Sequence, residues 1–413
     1  MQPRLQAISA SARARHLTDF HPADADTPVN DPRPRGPEVR AEALYLHLPF
    51  CFHKCHYCDF YSVVERGGTD HQDAFTEALV AELTAWADRV TLRPTTVFAG
   101  GGTPTFLRPE LWDRLLAALH GLGVMRGVAE FTVEANPETV TPELMRRLAD
   151  GGVNRVSIGA QSFQRESLAA LERWHDPDNV GRAVDACRDA GIDNLSLDLI
   201  FAVPGQTLAM LDDDLDRLVE LGPTHLSTYG LTYEPHTALT ARLRVGKVTP
   251  IDEDTQRAMY ARVLERLADA DFEQYEVSNW ARGSESRCVH NLAYWQNRDW
   301  LGVGPAAASH LAGHRWRNAP NLAAYLAHAP DPPIEDHEQL SARDAVGERL
   351  MLGLRLAEGL DLDWIETHVE PDAPRREAVA ELIEIGMLER TASRLRLTRR
   401  GLFVADSVIA KLL

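Results

Sequence analysis

The stretch Tyr45-Leu-His-Leu-Pro-Phe-Cys51-Phe-His-Lys-Cys55-His-Tyr-Cys58-Asp-Phe60 decides how the rest of the chain is read. A short apolar run at 44–48, which reads as a strand, leads into three thiols with two different gaps and no fourth thiol nearby. Three thiolates hold three corners of a cubane iron–sulfur cluster and leave the fourth iron open to a ligand that is not protein. An open iron implies chemistry rather than scaffolding. A four-ligand zinc site completed by His47, His53 or His56 is the alternative left standing at this point. The other two of the five cysteines, Cys187 and Cys288, stand alone, and nothing near Met1 resembles a secretion signal. The expectation is a cytoplasmic, reducing-compartment protein.

Working outward, further short apolar runs fall at 95–99, 130–135, 153–159, 195–201 and 225–231. Amphipathic stretches fill the gaps: 73–89, with Phe75, Leu79, Leu83 and Trp86 at helical spacing, then 109–119, 142–148, 179–189 and 208–221. Six strand–helix units in succession predict parallel strands with right-handed crossovers, hence an α/β fold built on an incomplete (β/α)6 barrel. The polar and glycine-rich segments gather at one end of these strands. The cysteine loop follows the first and Gly100-Gly-Gly-Thr-Pro104 the second; Glu134 closes the third, Gln161 follows the fourth and Asp198 lies on the fifth. Active sites of barrel-like α/β folds are built at the carboxyl ends of strands. Carboxylates on inner strands are costly unless paired or ligand-bound, which singles out Glu134 and Asp198. The glycines serve equally for close ligand approach or for a tight turn.

The remainder bounds the partners. At 413 residues the chain accommodates two or three domains, and its formal charge of -18 with no long basic block argues against nucleic acid. No apolar run reaches the length of a bilayer span, which leaves only peripheral membrane contact. Residues 1–42 read as a disordered tail: Arg13 and Arg15 suggest a transit peptide, but Asp19, Asp24, Asp26 and Asp31 oppose that. The main barrel is expected over 43–235 and an extension over 236–330. After Pro330-Asp-Pro-Pro333 a compact domain at 335–413 shows helical patterns at 342–356 and 375–385, a two-stranded wing at 386–398 and a last helix, an α+β winged-helix-like arrangement. Such domains often bind DNA; the acidic charge favours one that caps the barrel or meets a protein.

With these residues in view, the chain resembles the radical S-adenosylmethionine (SAM) superfamily, whose signature is Cys-x3-Cys-x2-Cys after the first barrel strand. More narrowly it resembles the oxygen-independent coproporphyrinogen III oxidase-like group. The matching runs are Tyr45 to Cys51, Gly100-Gly-Gly-Thr-Pro-Thr105, Arg155-Val-Ser-Ile-Gly-Ala-Gln-Ser-Phe163, Asp198-Leu-Ile-Phe-Ala-Val-Pro-Gly205 and Tyr275-Glu-Val-Ser-Asn279. The resemblance implies a [4Fe-4S] cluster on Cys51, Cys55 and Cys58, with SAM chelating the open iron. It implies that Tyr45, Gly100, Gly101, Gly102, Thr103, Glu134, Gln161, Arg173 and Asp198 line the SAM pocket. It also implies an electron donor such as a flavodoxin or ferredoxin.

Two positions separate the branches of that group. Where the coproporphyrinogen dehydrogenases carry a further cysteine two residues beyond the third, this chain has Phe60, as in the heme-chaperone branch (HemW). His290-Asn-Leu-Ala-Tyr-Trp295 resembles that branch's His-Asn-x-x-Tyr-Trp motif and marks His290, Tyr294 and Trp295 as a heme site. Imidazole ligates heme iron, and neighbouring aromatics offer a flat apolar face. Cys288 is an alternative thiolate ligand, and core packing of the histidine is the plain alternative. Two functions stand: a heme chaperone delivering to an acceptor hemoprotein, or a radical SAM oxidoreductase acting on coproporphyrinogen III or another porphyrin-like substrate.

Overall fold

A computed structural model describes residues 31–65 and 71–413. The half-barrel opens with β1 (Gly36–Leu48), and a short parallel pair, β2 (Phe50–Cys51) and β3 (Val63–Val64), brackets the cysteine loop. Strands and helices then alternate: α1 (Gln72–Arg89), β4 (Val90–Gly101), α2 (Pro109–Gly121), β5 (Glu130–Ala135), α3 (Pro142–Asp150), β6 (Arg155–Gln161), α4 (Arg165–Leu171), α5 (Asp178–Asp189), β7 (Asn194–Phe201), α6 (Leu208–Glu220) and β8 (His225–Gly230). Strands β1, β4, β5, β6, β7 and β8 lie side by side in that order, every pair parallel. The six-unit incomplete barrel is therefore present.

Each strand sorts its side chains by alternation. Phe131, Val133, Val156, Ile158, Leu195, Leu197 and Leu226 join one apolar core with the helices, where Phe75, Leu79, Leu83 and Trp86 form the buried stripe of α1. The intervening residues Glu134, Arg155, Ser157, Asp198, His225, Ser227 and Tyr229 line the barrel lumen. Side-chain caps start several helices, as at Thr141 over α3 and Thr207 over α6.

Three features depart from expectation. Strand β1 begins at Gly36, inside the stretch expected to be a tail, because Val39 and Ala41 are buried and residues 36–41 pair with Val90 to Leu92. Positions 1–30, with the rest of the tail and its transit-peptide question, lie outside the described residues. Helix α4 sits unforeseen between β6 and α5. The sheet also extends past both ends of the half-barrel. After α7 (Ala238–Arg244) and α8 (Glu253–Asp269) come β9 (Glu273–Glu276) and β10 (Asn279–Ala281), antiparallel beside β8. Helix α9 (Val289–Trp295) leads to β11 (Trp300–Val303), which returns parallel to β1. Then β12 (Ala308–Leu311), β13 (His314–Asn318), α10 (Leu322–His328) and β14 (Ile334–Gln339) complete a twelve-stranded sheet.

The C-terminal unit holds α11 (Ala342–Gly353), β15 (Leu360–Asp361), α12 (Leu362–His368), α13 (Ala373–Glu384), β16 (Leu388–Arg390), β17 (Arg394–Leu397), α14 (Arg399–Leu402) and α15 (Ala405–Ala410). Four of these helices and a three-stranded wing form its own core around Leu350, Ile365, Leu382, Leu395 and Ile409. It docks through backbone bonds from Val277 N to Arg355 O (3.1 Å) and from Ala357 N to Tyr275 O (3.0 Å). A buried Arg315–Glu348 ion pair ties it to β13. Among the described residues no helix is long and apolar enough to cross a membrane.

Candidate functional site

The cysteine loop lies over the carboxyl ends of the strands. Cys51 ends β2, with its Sγ 3.5 Å from Thr103 Oγ1, and the Arg173 guanidinium reaches Cys55 Sγ at 3.8 Å. The loop from β4 is fastened directly to it: Gly102 N–H donates to Leu48 O and Thr103 N–H to Phe50 O, both at 2.8 Å. This explains the glycines. A Cβ on Gly102 would sit 2.6 Å from Phe50 O, and one on Gly101, whose φ is +102°, would meet the His47 ring at 2.5 Å. The glycine run is first a packing device between two loops, which sets Thr103 beside Cys51.

These residues fit a cluster better than the zinc alternative. His47 Nε2 donates to Tyr61 O at 2.9 Å, so its Nδ1 accepts from Tyr45 OH at 3.2 Å and no lone pair is left. His53 Nε2 is bonded to Glu172 O at 3.1 Å, and His56 Nδ1 faces Arg242 at 3.1 Å. Among the described residues no three of these side-chain types converge tightly enough for a single metal ion. Burial pushes the Cys58 thiol up to about 12 and raises Cys51, so iron must displace protons from the loop to bind.

Beneath the loop the lumen receives the expected SAM residues. Tyr45 is buried on β1 with its ring stacked on Phe98 at 6.2 Å between centroids. Glu134, near the end of β5, accepts from Gly101 N–H at 3.2 Å, and burial raises its carboxyl above the usual range. Asp198 accepts from Ser157 Oγ at 3.1 Å. Gln161 closes β6 in the left-handed region (φ 63°), and its amide lies near where a Cβ on Gly159 would stand. Arg173 donates to Gly159 O at 2.9 Å. Gly100 completes the rim: a Cβ there would meet the Glu134 carboxyl at 2.8 Å. Phe60 lines the lumen with Tyr45, Glu134 and Asp198.

The opposite, amino-terminal end of the barrel is closed by α9. Glu130 on β5 accepts from Val289 N–H (2.8 Å) and His290 N–H (2.9 Å), with the Cys288 thiol 3.5 Å away. His290 is 1% exposed. One of its nitrogens is 2.8 Å from Thr96 Oγ1 and the other 2.9 Å from Tyr294 OH, and burial pushes it down to about 3. Trp295 does not join this cluster, which corrects the expectation of one aromatic face. It packs with Leu350 and Met351 of the C-terminal unit, because successive helical residues point about 100° apart. The geometry thus brings His290 and Tyr294 together and sends Trp295 elsewhere.

Lumen residues that sequence reasoning passed over include Arg155, which is 2% exposed and lines the floor beside Glu130 and Cys288. Ser196 bonds His225 at 2.8 Å, and His225 in turn reaches Tyr275 OH at 2.8 Å. The signal was present as polar residues two apart within apolar strands: Glu130-Thr132-Glu134, Arg155-Ser157 and His225-Ser227-Tyr229.

The Radical SAM superfamily profile matches residues 45–218, and the HemN C-terminal domain profile matches residues 340–404. The solved structure titled as coproporphyrinogen III oxidase (HemN) from Escherichia coli, a radical SAM enzyme, superposes with a TM-score of 0.78 at 22% identity, covering 92% of this chain and 90% of that one. The fold and the three-cysteine loop define a radical SAM protein with a HemN-type C-terminal domain, and that superfamily implies a [4Fe-4S] cluster and SAM. Heme chaperone HemW of Mycobacterium tuberculosis is 38% identical, covering 95% of this chain and 99% of that one. Heme chaperone HemW of Lactococcus lactis is 35% identical, over 91% and 98%. The chain belongs to the heme chaperone HemW family.

Proposed function

We propose that the chain binds heme and hands it to an acceptor hemoprotein, holding a [4Fe-4S] cluster on Cys51, Cys55 and Cys58 and SAM below it. The observation that carries this reading over porphyrinogen oxidation is Phe60. At the position where the dehydrogenase branch places a further cysteine, an inert ring lines the lumen. Cys51, Cys55 and Cys58 would hold a [4Fe-4S] cluster, which would supply one-electron reducing power toward SAM. The chain's own residues do the positioning: Thr103 and Arg173 offer donors to thiolates, Glu134 and Asp198 present acceptors to a cationic ligand, and the loops exclude water. Lys54, exposed in the cysteine loop, and Arg242 of α7, which reaches His56 of the same loop at 3.1 Å, favour an acidic redox protein as electron donor in a chain of charge -18.

His290 is the heme ligand in this reading, and it reaches iron only when Tyr294 releases its ring nitrogen and α9 withdraws from the floor. The test is anaerobically reconstituted protein titrated with heme, beside an assay of coproporphyrinogen III with SAM and reductant. Heme uptake without protoporphyrinogen is the expected result, weakened in His290→Ala with iron and sulfide content unchanged. Turnover to protoporphyrinogen would return the chain to the oxidase chemistry despite Phe60.

A further inference from the structure

A second feature lies outside the lumen, on the surface beside the cluster. After α4 the chain folds back over residues 172–177, and Arg165, Leu168, Ala169, Trp174, His175 and Pro177 line a shallow depression there. Trp174 is 58% exposed. One face of its ring stacks on His53 at 3.7 Å and 11°, and His53 belongs to the cysteine loop. The other face is left to solvent. A lone exposed aromatic would be unremarked, but its neighbour is incomplete in a specific way. His175 is only 6% exposed, and its Nδ1 accepts from Arg173 Nε at 3.3 Å. A guanidinium only donates, so the neutral ring carries its proton on Nε2. That Nε2 is enclosed and has no partner. An enclosed N–H without a protein acceptor is rare in folded proteins and is satisfied by a water or by a ligand oxygen.

Arg165 is exposed and pairs with Asp176 at 3.2 Å, and Glu172, which also lines the depression, has a carboxylate oxygen 3.9 Å from His56 Nδ1. Arg173 joins the depression to the cluster, since the guanidinium that holds His175 also reaches Cys55 Sγ.

We propose that this depression is a peripheral porphyrin site, in which the macrocycle lies on the free face of Trp174 and a rim carboxylate accepts from His175 Nε2 and Arg165. The inference rests on the heme reading above and adds a place for heme distinct from His290. Recognition here is by ring face and carboxylate, so the iron takes no ligand from the protein and stays open to an acceptor.

The probes are hemin, metal-free protoporphyrin IX and its dimethyl ester, titrated against cluster-reconstituted protein and followed by tryptophan quenching and porphyrin absorbance. Metal-free protoporphyrin binds within a few-fold of hemin, and the dimethyl ester binds at least tenfold more weakly. Trp174→Ala weakens protoporphyrin at least tenfold, Trp174→Phe restores most of the affinity, and His290→Ala leaves it unchanged; iron and sulfide content hold in all three. Porphyrin binding that demands iron, or that is indifferent to Trp174 and to esterification, overturns the peripheral site and leaves heme binding at His290 intact. No uptake of hemin by the wild-type protein would instead overturn the heme reading itself.

Discussion

Replacing Glu130 by glutamine tests whether α9 is a removable floor. The carboxylate accepts from Val289 N–H at 2.8 Å, which is partly buried, and from His290 N–H at 2.9 Å, which is buried. Glutamine keeps the volume, so no cavity opens. It retains one oxygen and turns an NH2 toward the second N–H. A hydrogen bond to a charged group contributes about 1.5–3 kcal/mol, and an orphaned buried donor costs about 1–3 kcal/mol. Losing one bond and neutralising the other places the penalty at about 3 kcal/mol. The buried Arg155 guanidinium, which shares the Glu130 field, loses a neighbouring charge and adds to it. The cost falls on α9, a seven-residue helix held to the barrel by this anchor, by the Thr96–His290 bond and by the packing of Ala293 and Tyr294 on Ala43 and Trp300. Its amides then open more often, and their hydrogen-exchange protection drops by roughly a hundredfold, at about 1.4 kcal/mol per tenfold. Strands β5 to β7 keep theirs. Exchange measured by mass spectrometry on wild type and Glu130→Gln decides the matter, and unchanged protection across 289–295 refutes the anchor argument. In the heme reading the same variant takes up heme faster, because the step that frees His290 has become easier.

Other substitutions probe the cluster end. Cys55→Ser should abolish the broad cluster absorbance near about 400 nm after anaerobic reconstitution; full retention removes Cys55 from the ligand set. Gly101→Ala brings a Cβ to 2.5 Å from the His47 ring at φ +102°. His47 is held at both nitrogens, so a loss of about 2–5 kcal/mol is expected, read as a lower denaturant midpoint with reduced SAM affinity. Acid should destabilise the fold early. Burial pushes His290 to about 3 and His47 and His310 to about 4, against roughly 6.5 when unfolded. Each neutral ring therefore contributes stability that is fully present above about pH 6.5 and is lost as pH falls toward its folded value, at about 1.4 kcal/mol per pH unit. A denaturant midpoint that stays level from pH 7 to 5 would count against these three rings being held neutral.

The legible part of this protein was local. Strand β5 was read at its observed bounds and α1 within one residue of them, because a buried parallel strand is an apolar run and a covering helix repeats its apolar side chains every three or four positions. Helix α4 escaped because Arg165–Leu171 is short and its exposed side is as long as its buried one. The first residues of β1 escaped because Gly36 and Pro37 look like loop until β4 supplies the partner.

By itself the sequence brought three thiols together in the cysteine loop, since thiols within eight residues meet whatever the rest of the chain does; the bonding of His47, His53 and His56, which bears on the zinc alternative, was visible only in the fold. It determined the six-unit order too, since alternation and helical period are properties of neighbouring residues. Tertiary structure alone decided what each polar residue faces. Gly101 is glycine because His47, 54 positions earlier, packs where its Cβ would be. His290 and Trp295, five residues apart, belong to different cores because the helix between them is clamped by Glu130 from another strand. Such contacts depend on residues far apart in the chain, and no local pattern encodes the distance between them.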